Sequence, residues 1–211
     1  MEILFARHGN TFAPGDKVVW VGRETDLPLV DKGWAQARAY GEALIRLNLR
    51  PDRIIAASLQ RTRGFADAVA TTLDHSRPPE IDSRLNEIHY GHWAGRTSEE
   101  IAADAAGAEA MAAWSARDTW PANAGWVTTE TELLDAIRGF ADDVIGRADA
   151  SGRLLVVSSN GVLRFLPRVL GATDHARSSY VMKTGYAGLI VGTPGHFKVR
   201  FWNLDPEKLN P

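Results

Sequence analysis

Three short apolar segments, each followed by a polar turn and a helical pattern, constrain the fold of this chain more than any other feature. The segments are EILFA (2–6), RIIAA (53–57) and RLLVV (153–157). Continuous apolar runs of this length are typical of strands that are buried on both faces of a sheet. Their alternation with helices predicts an α/β fold, in which helices cover both faces of a mostly parallel sheet.

Local signals place the ends of the predicted helices. Asp31 is positioned to cap a helix that runs to about Leu49, and Ser58 to cap a second helix. Thr129 and Glu132 have the spacing of a capping box, which predicts the start of a third long helix.

We expect a single domain over residues 1–211, because a chain of this length can bury one substantial core and contains no low-complexity linker. The stretch 98–116 is Ala-rich and predicts helix, and we expect the 98–128 region to form a helical lid insert. Two apolar runs near the C-terminus, AGLIV (187–191) and FKVRFW (197–202), flank a Thr-Pro-Gly turn. They predict a hairpin that adds an antiparallel edge to the sheet.

Composition excludes several classes of protein. The chain has no cysteine, which excludes disulfides, thiolate nucleophiles and thiolate metal sites. Its formal net charge of -2 gives no sign of a nucleic-acid or membrane partner. No apolar run approaches the roughly 20 residues that span a bilayer, and the start MEILFARHGNT is unlike a signal peptide. We therefore expect a cytoplasmic protein.

Residues suited to anion binding follow the three predicted strands. Arg7 and His8 end the first strand, Arg61 follows the second within a turn, and the turn SSNG (158–161) ends the third. In open α/β sheets, ligands bind beyond the carboxyl ends of the strands. Free N–H groups at helix starts and arginine side chains both bind phosphate-like anions. The pattern predicts a pocket for a charged oxyanion with a histidine beside it.

Five motifs that occur in one order along the chain carry a resemblance to a known family. They are RHGNT (7–11), DLPLVDKGWAQA (26–37), SLQRTRGFA (58–66), LNEIHYGHWAG (85–95) and VVSSNGVLR (156–164). In this order they resemble the histidine phosphatase superfamily, in its phosphoglycerate mutase-like branch. The resemblance implies a three-layer α/β/α sandwich and a phosphohistidine mechanism that uses no metal and no cofactor.

The resemblance also implies roles for individual residues. His8 would be the nucleophile that becomes phosphorylated, and Arg7 and Arg61 would hold the equatorial phosphoryl oxygens. Glu87 would protonate the leaving oxygen and later deprotonate the attacking water. A carboxyl that stays protonated near neutral pH needs a desolvated environment, which Tyr90 and Trp93 could help to provide.

Substrate contacts beyond the phosphoryl group are expected from three residues that lie in or after the first loop. They are Asn10, Thr11 and Arg23.

The chain departs from the family pattern at two positions. The fourth motif of the family usually reads Ser-His-Gly-Gly, and its histidine and first glycine fall on Ser159 and Asn160 here. Pro14 stands where the family often has an asparagine. Ser159 and Asn160 would then bind phosphate as neutral donors, which are roughly half as strong as charged ones. The family histidine at this position is the second member of a histidine pair. Alternatively, His89 or His92 could supply the imidazole that is missing here, or the activity could be reduced.

The leading hypothesis is a metal-independent phosphomonoesterase that acts on a small phosphorylated metabolite through a phosphohistidine. One alternative is a phosphoglycerate mutase-type phosphotransferase. Another is a catalytically impaired module that binds a phosphorylated ligand. The sequence leaves the substrate and the oligomeric state open. Tryptophans in the first loop and the insert suggest an apolar or flat leaving group, or they simply pack the lid: Trp20, Trp114, Trp120 and Trp126.

Overall fold

The computed structural model describes residues 1–146, 152–172, 174 and 177–209. Its sheet contains six strands: β1 (Glu2–Arg7), β2 (Arg53–Ala56), β3 (Glu80–Ile81), β4 (Arg153–Ser158), β5 (Ala187–Val191) and β6 (Lys198–Leu204). They lie in the spatial order β3-β2-β4-β1-β5-β6.

The first four strands pair in parallel, whereas β5 runs antiparallel to both β1 and β6. The prediction of a mostly parallel sheet with an antiparallel hairpin at one edge is confirmed. Arg7 at the end of β1 pairs in register with Ser158 at the end of β4. The residues that follow these two central strands therefore lie side by side at the same edge of the sheet.

Helices cover both faces of this sheet. The α-helices are α1 (Asp31–Arg46), α2 (Gln60–Thr72), α3 (Ser98–Ile101), α4 (Ala105–Arg117), α5 (Glu130–Phe140, continued by a π-helical turn over Ala141–Ile145), α6 (Asn160–Leu163) and α7 (Leu166–Val169). Short 3₁₀ turns span Ser83–Leu85, Gly91–Trp93 and Pro206–Lys208. No helix in the described part of the chain is long and apolar enough to cross a bilayer.

Alternation along the strands divides the core into two layers. Leu4 and Leu155 belong to the cluster that packs on α1 and α2, whereas Ile3 and Val156 belong to the cluster on the side of α5, α6 and α7. This is the expected three-layer α/β/α sandwich, because side chains at successive strand positions point to opposite faces.

The caps agree with the sequence at one helix and differ at two others. The capping box of α5 is confirmed, since Thr129 and Glu132 each accept a hydrogen bond from the other's backbone N–H. Asp31 is the first residue of α1 rather than its cap. Helix α2 begins at Gln60, and Ser58 instead donates its N–H and hydroxyl to the side-chain oxygen of Asn86. Thus Ser58 ties the second strand end to the 85–95 motif.

The 98–128 region folds as α3, α4 and an irregular return. Its tryptophans pack on one another and on aromatic rings outside the region, so they join the 98–128 region to the core of the domain. The ring of Trp126 lies 4.9 to 6.4 Å, centroid to centroid, from five other aromatic rings, which are those of Trp20, Tyr90, Trp93, Trp114 and Trp120.

Candidate active site

His8 lies directly after β1 with 6% of its surface exposed. Its Nδ1 is 2.8 Å from the carbonyl oxygen of Gly9. Because a carbonyl only accepts hydrogen bonds, Nδ1 carries the proton and Nε2 carries a free lone pair. Burial, followed by the charges of Arg7 and Arg61, holds the pKa of His8 well below its ordinary value. The imidazole is therefore neutral and fixed in the tautomer that a nucleophile at Nε2 requires.

Two arginines that neighbour His8 are held by backbone carbonyls. Arg7 donates from Nη1 to the carbonyl of Met182 at 2.7 Å, and its Nε is buried without a hydrogen-bond partner among the described residues. Arg61, 1% exposed, donates to the carbonyls of Thr25 and Gly22 at 3.0 and 3.1 Å. Burial lowers the pKa of both groups, but a guanidinium stays charged throughout the physiological range. Both side chains are thus fixed cations.

Glu87 is a buried carboxyl next to the start of α6. Its Oε1 accepts from the N–H of Ile88 at 3.0 Å, and its Oε2 accepts from the N–H of Gly161 at 3.3 Å. Burial raises the pKa of Glu87 and outweighs these hydrogen bonds and the charges of the arginines. Glycine at 161 lets the carboxyl approach this closely, since a Cβ there would lie 2.3 Å from Glu87 Oε1 and 2.7 Å from the Tyr90 hydroxyl.

These side chains meet in one cavity of about 770 Å³ at the carboxyl edge of the sheet, which we call the strand-end cavity. Its size is typical of small-molecule sites. Residues with polar side chains that line it include Arg7, His8, Asn10, Thr11, Arg61, Glu87, Tyr90, Asn160 and Arg164. Among the described residues, no three His, Asp or Glu side chains converge in a way that could hold a metal ion.

A sequence profile of the histidine phosphatase superfamily (branch 1) matches residues 3–205 of this chain. The chain belongs to that superfamily.

Two curated relatives of this histidine phosphatase align over most of their length. The glucosyl-3-phosphoglycerate phosphatase of Mycolicibacterium vanbaalenii is 28% identical and covers 97% of the chain and 92% of the relative. The adenosylcobalamin/alpha-ribazole phosphatase of Salmonella typhimurium is 31% identical over 79% and 77% of the two chains. A solved structure of a mycobacterial glucosyl-3-phosphoglycerate phosphatase with VO3 shares the fold, with a TM-score of 0.77, 23% identity and coverage of 96% and 98%.

The residues predicted to hold the rest of the substrate do not all reach the cavity of this histidine phosphatase. Asn10 and Thr11 line it, and the Asn10 side-chain oxygen accepts from the Thr184 hydroxyl at 2.8 Å. Arg23 is exposed and is not among the lining residues. Its N–H donates to the carbonyl of Ile88, and Arg23 lines a separate cleft together with Glu132.

Ser159 and Asn160, which stand at the altered fourth motif, differ in their position. Asn160 lines the cavity, and its Oδ1 accepts from the N–H of Met182 at 2.8 Å. Ser159 is fully buried and does not line the cavity, and its hydroxyl has no hydrogen-bond partner among the described residues. His89 and His92 also lie outside the lining, so neither of them supplies a second imidazole in this structure.

Sequence reasoning missed the third arginine of the cavity. Arg164 follows α6, lines the cavity and is 2% exposed. Its guanidinium carbon lies 3.8 Å from the ring centroid of Trp114. A signal was present, because residues four apart in a helix share a face, and Arg164 follows Asn160 at that spacing.

Arg164 belongs to a buried charge cluster under the 98–128 region. Asp118, at the end of α4, accepts hydrogen bonds from the Ser179 hydroxyl at 2.6 Å and the Tyr180 N–H at 2.9 Å. Its Oδ1 also lies 3.3 Å from Arg164 Nη1, and its Oδ2 lies 3.4 Å from Arg168 Nη2. The cluster fastens the end of α4 to α7 and to the segment before β5.

Proposed function

We propose that this chain is a phosphomonoesterase that transfers a phosphoryl group from a small phosphorylated metabolite to His8 and then to water. The observation that carries the proposal is the tautomer of His8. Nε2 of His8 carries the lone pair, and the pKa of the imidazole is lowered. The ring lies in a cavity with two fixed guanidinium groups. Such an imidazole is a nucleophile rather than a cation.

In the first step, Nε2 of His8 forms a bond to phosphorus while the bond from phosphorus to the leaving oxygen breaks. Glu87 gives its proton to that oxygen, and its raised pKa keeps the proton available for this transfer. In the second step, Glu87 takes a proton from water as the water oxygen attacks the phosphohistidine. The products are inorganic phosphate and neutral His8, so the enzyme returns to its starting state.

Arg7 and Arg61 would hold the transferred oxygens through both steps. Fixed cations that face the phosphoryl group stabilise the transition state without reorganising during the reaction. Arg7 Nε is a buried donor that has no hydrogen-bond partner among the described residues, and a phosphoryl oxygen would satisfy it. The amide of Asn160 could add a neutral donor at the same edge.

The leaving group would lie along the outer wall of the cavity. That wall is lined largely by apolar side chains, among them Phe12, Val18, Val19 and Trp114. A cavity of this volume accommodates an alcohol considerably larger than the phosphoryl group. The relative that aligns over 92% of its own length is named as a phosphatase, which supports hydrolysis over mutase-type transfer.

The test uses p-nitrophenyl phosphate as a probe with wild type, His8→Ala and His89→Ala. We expect the wild type and His89→Ala to hydrolyse the probe and to carry a phosphoryl group on His8 after rapid quenching. His8→Ala should lose turnover and labelling together. Full hydrolysis by folded His8→Ala would refute the mechanism, and the absence of turnover over a panel of phosphomonoesters would refute the activity.

A further inference from the structure

The Arg164 guanidinium is buried from bulk solvent but open to the strand-end cavity. It is 2% exposed, yet it lines the cavity together with His8, Glu87 and Asn160. It therefore occupies the wall on which the third strand ends, where the nearby Ser159 side chain brings no charge and does not reach the cavity.

The hydrogen bonds of Arg164 leave one nitrogen unused. Nη1 donates to the carbonyl of Trp114 at 2.7 Å and lies 3.3 Å from Asp118, and Nε donates to the carbonyl of Asn160 at 3.4 Å. Nη2 has no hydrogen-bond partner in the part of the chain that the structure describes, and it is not among the buried unpartnered atoms. Its two N–H groups are accordingly open to a ligand in the cavity.

The surrounding protein fixes the guanidinium without neutralising it. Asp118 is shared between Arg164 and Arg168, so one negative charge faces two positive ones. Stacking on Trp114 fixes the plane of the Arg164 group. Burial lowers the pKa of Arg7, and the like charge of Arg164 lowers it further and more strongly than the charge of Arg61 does. The charges of Arg164 and Arg61 thus both act on Arg7.

We propose that Arg164 is a third cationic donor of the anion site, whose Nη2 binds an oxygen of the phosphoryl group that His8 attacks. Asp118 and Trp114 would be the positioning residues that aim it. The assignment rests on the proposed function only for the identity of the anion, because inorganic phosphate should occupy the same site without any turnover.

The competing interpretation is that Arg164 merely neutralises Asp118 and anchors α4. Arg168 provides a matched control, since it contacts the same carboxylate but its side chain is 40% exposed and does not line the cavity. If Arg164 only neutralises Asp118, replacing either arginine should have the same effect. If Arg164 binds the anion, only the replacement of Arg164 should weaken phosphate binding.

The experiment compares wild type, Arg164→Gln, Arg164→Lys and Arg168→Gln, each checked for folding by circular dichroism. The first readout is the dissociation constant of inorganic phosphate, and the second is kcat/KM for p-nitrophenyl phosphate. In Arg164→Gln we expect the dissociation constant to rise about tenfold or more and kcat/KM to fall on the order of 100-fold. Arg164→Lys should retain part of the phosphate affinity and part of kcat/KM. In Arg168→Gln, both quantities should stay within about threefold of their wild-type values.

Two outcomes would overturn the proposal: phosphate binding by Arg164→Gln as tight as in wild type, or equal losses in Arg164→Gln and Arg168→Gln. If the Arg164 variants do not fold, a wild-type crystal structure with phosphate decides the question, through a direct contact between Nη2 and an anion oxygen or its absence. A wild type that binds phosphate but turns over no substrate would refute the proposed function while leaving the Arg164 assignment open to the same binding measurements.

Discussion

Replacing Gly161 by alanine should impair catalysis far more than it impairs folding. Gly161 stands in the first turn of α6, and its N–H donates to Glu87 Oε2 at 3.3 Å. A Cβ at this position would lie 2.3 Å from Glu87 Oε1, so the carboxyl must retreat by about 1 Å to reach an ordinary van der Waals distance. The Tyr90 hydroxyl, 2.7 Å from the same point, must move as well.

The expected changes in stability and in rate follow from which atoms have to move. The contacts are the far ends of three side chains, those of Glu87, Tyr90 and Ile88. Alanine in a helix is intrinsically more favourable than glycine by about 0.5–1 kcal/mol. We therefore expect the free energy of unfolding to change by no more than about 1 kcal/mol. A displacement of about 1 Å in a proton donor can reduce the rate on the order of 100-fold.

The assay compares two substrates that differ in their need for a proton. An alkyl phosphate has a poor leaving group and should lose about 100-fold in kcat. p-Nitrophenyl phosphate releases a stabilised anion and should lose much less. Gly139→Ala is the matched control, because Gly139 is also helical and the nearest atom to its added Cβ is 3.6 Å away. This control should keep wild-type rates and a stability equal to or above that of wild type.

The reasoning would be wrong if folded Gly161→Ala cleaved alkyl phosphates at the wild-type rate. It would also be wrong if both substrates slowed equally, since the change would then affect phosphoryl binding rather than proton donation.

The buried charges carry two further predictions. Burial raises the pKa of Glu87, so the carboxyl keeps its proton to a higher pH than ordinary, and kcat/KM for alkyl phosphates should fall as the pH rises through that pKa. Because the pKa of His8 is lowered, the nucleophile should remain neutral well below pH 6.5. Glu87→Gln should be slow and lack the alkaline decline, and an unchanged decline in this variant would assign it to another group. Asp118→Asn should leave Arg164 without its counter-charge and destabilise the protein by about 3 kcal/mol or more in urea unfolding. Asp135→Asn, at an exposed helical ion pair, should change stability by less than about 1 kcal/mol, and equal losses in the two variants would contradict the argument.

The sequence predicted the central strands and the main chemical residues because both depend on local patterns. EILFA, RIIAA and RLLVV are buried runs whose ends the parallel pairing brings to one edge, so the amino-acid pattern alone was enough to group Arg7, His8 and Arg61. By contrast, the two-residue strand β3 is too short to show a pattern. The role of Ser58 also escaped prediction, because its partner Asn86 lies 28 residues away.

The predictions for Arg23 and Arg164 show where local reasoning fails. Arg23 follows the first motif closely in sequence, but the pairing of its N–H with Ile88 directs the chain so that its side chain leaves the cavity. Arg164 lay inside a recognised motif but could not be assigned to the site. Its position depends on Asp118 and Trp114, which α4 brings from about 50 residues away.

The cavity wall formed by residues 12–21 has an evolutionary consequence. These residues contribute no strand to the sheet, whereas Arg7 and His8 are fixed at the end of β1 and Arg61 at the start of α2. Substitutions or insertions over residues 12–19, which leave the packed Trp20 in place, should therefore cost little stability, as is usual for surface connections. A gene duplicate could change its leaving-group preference through this loop alone while inheriting the phosphoryl-transfer residues unchanged. Libraries randomised over residues 12–19 offer a practical route to such altered specificity.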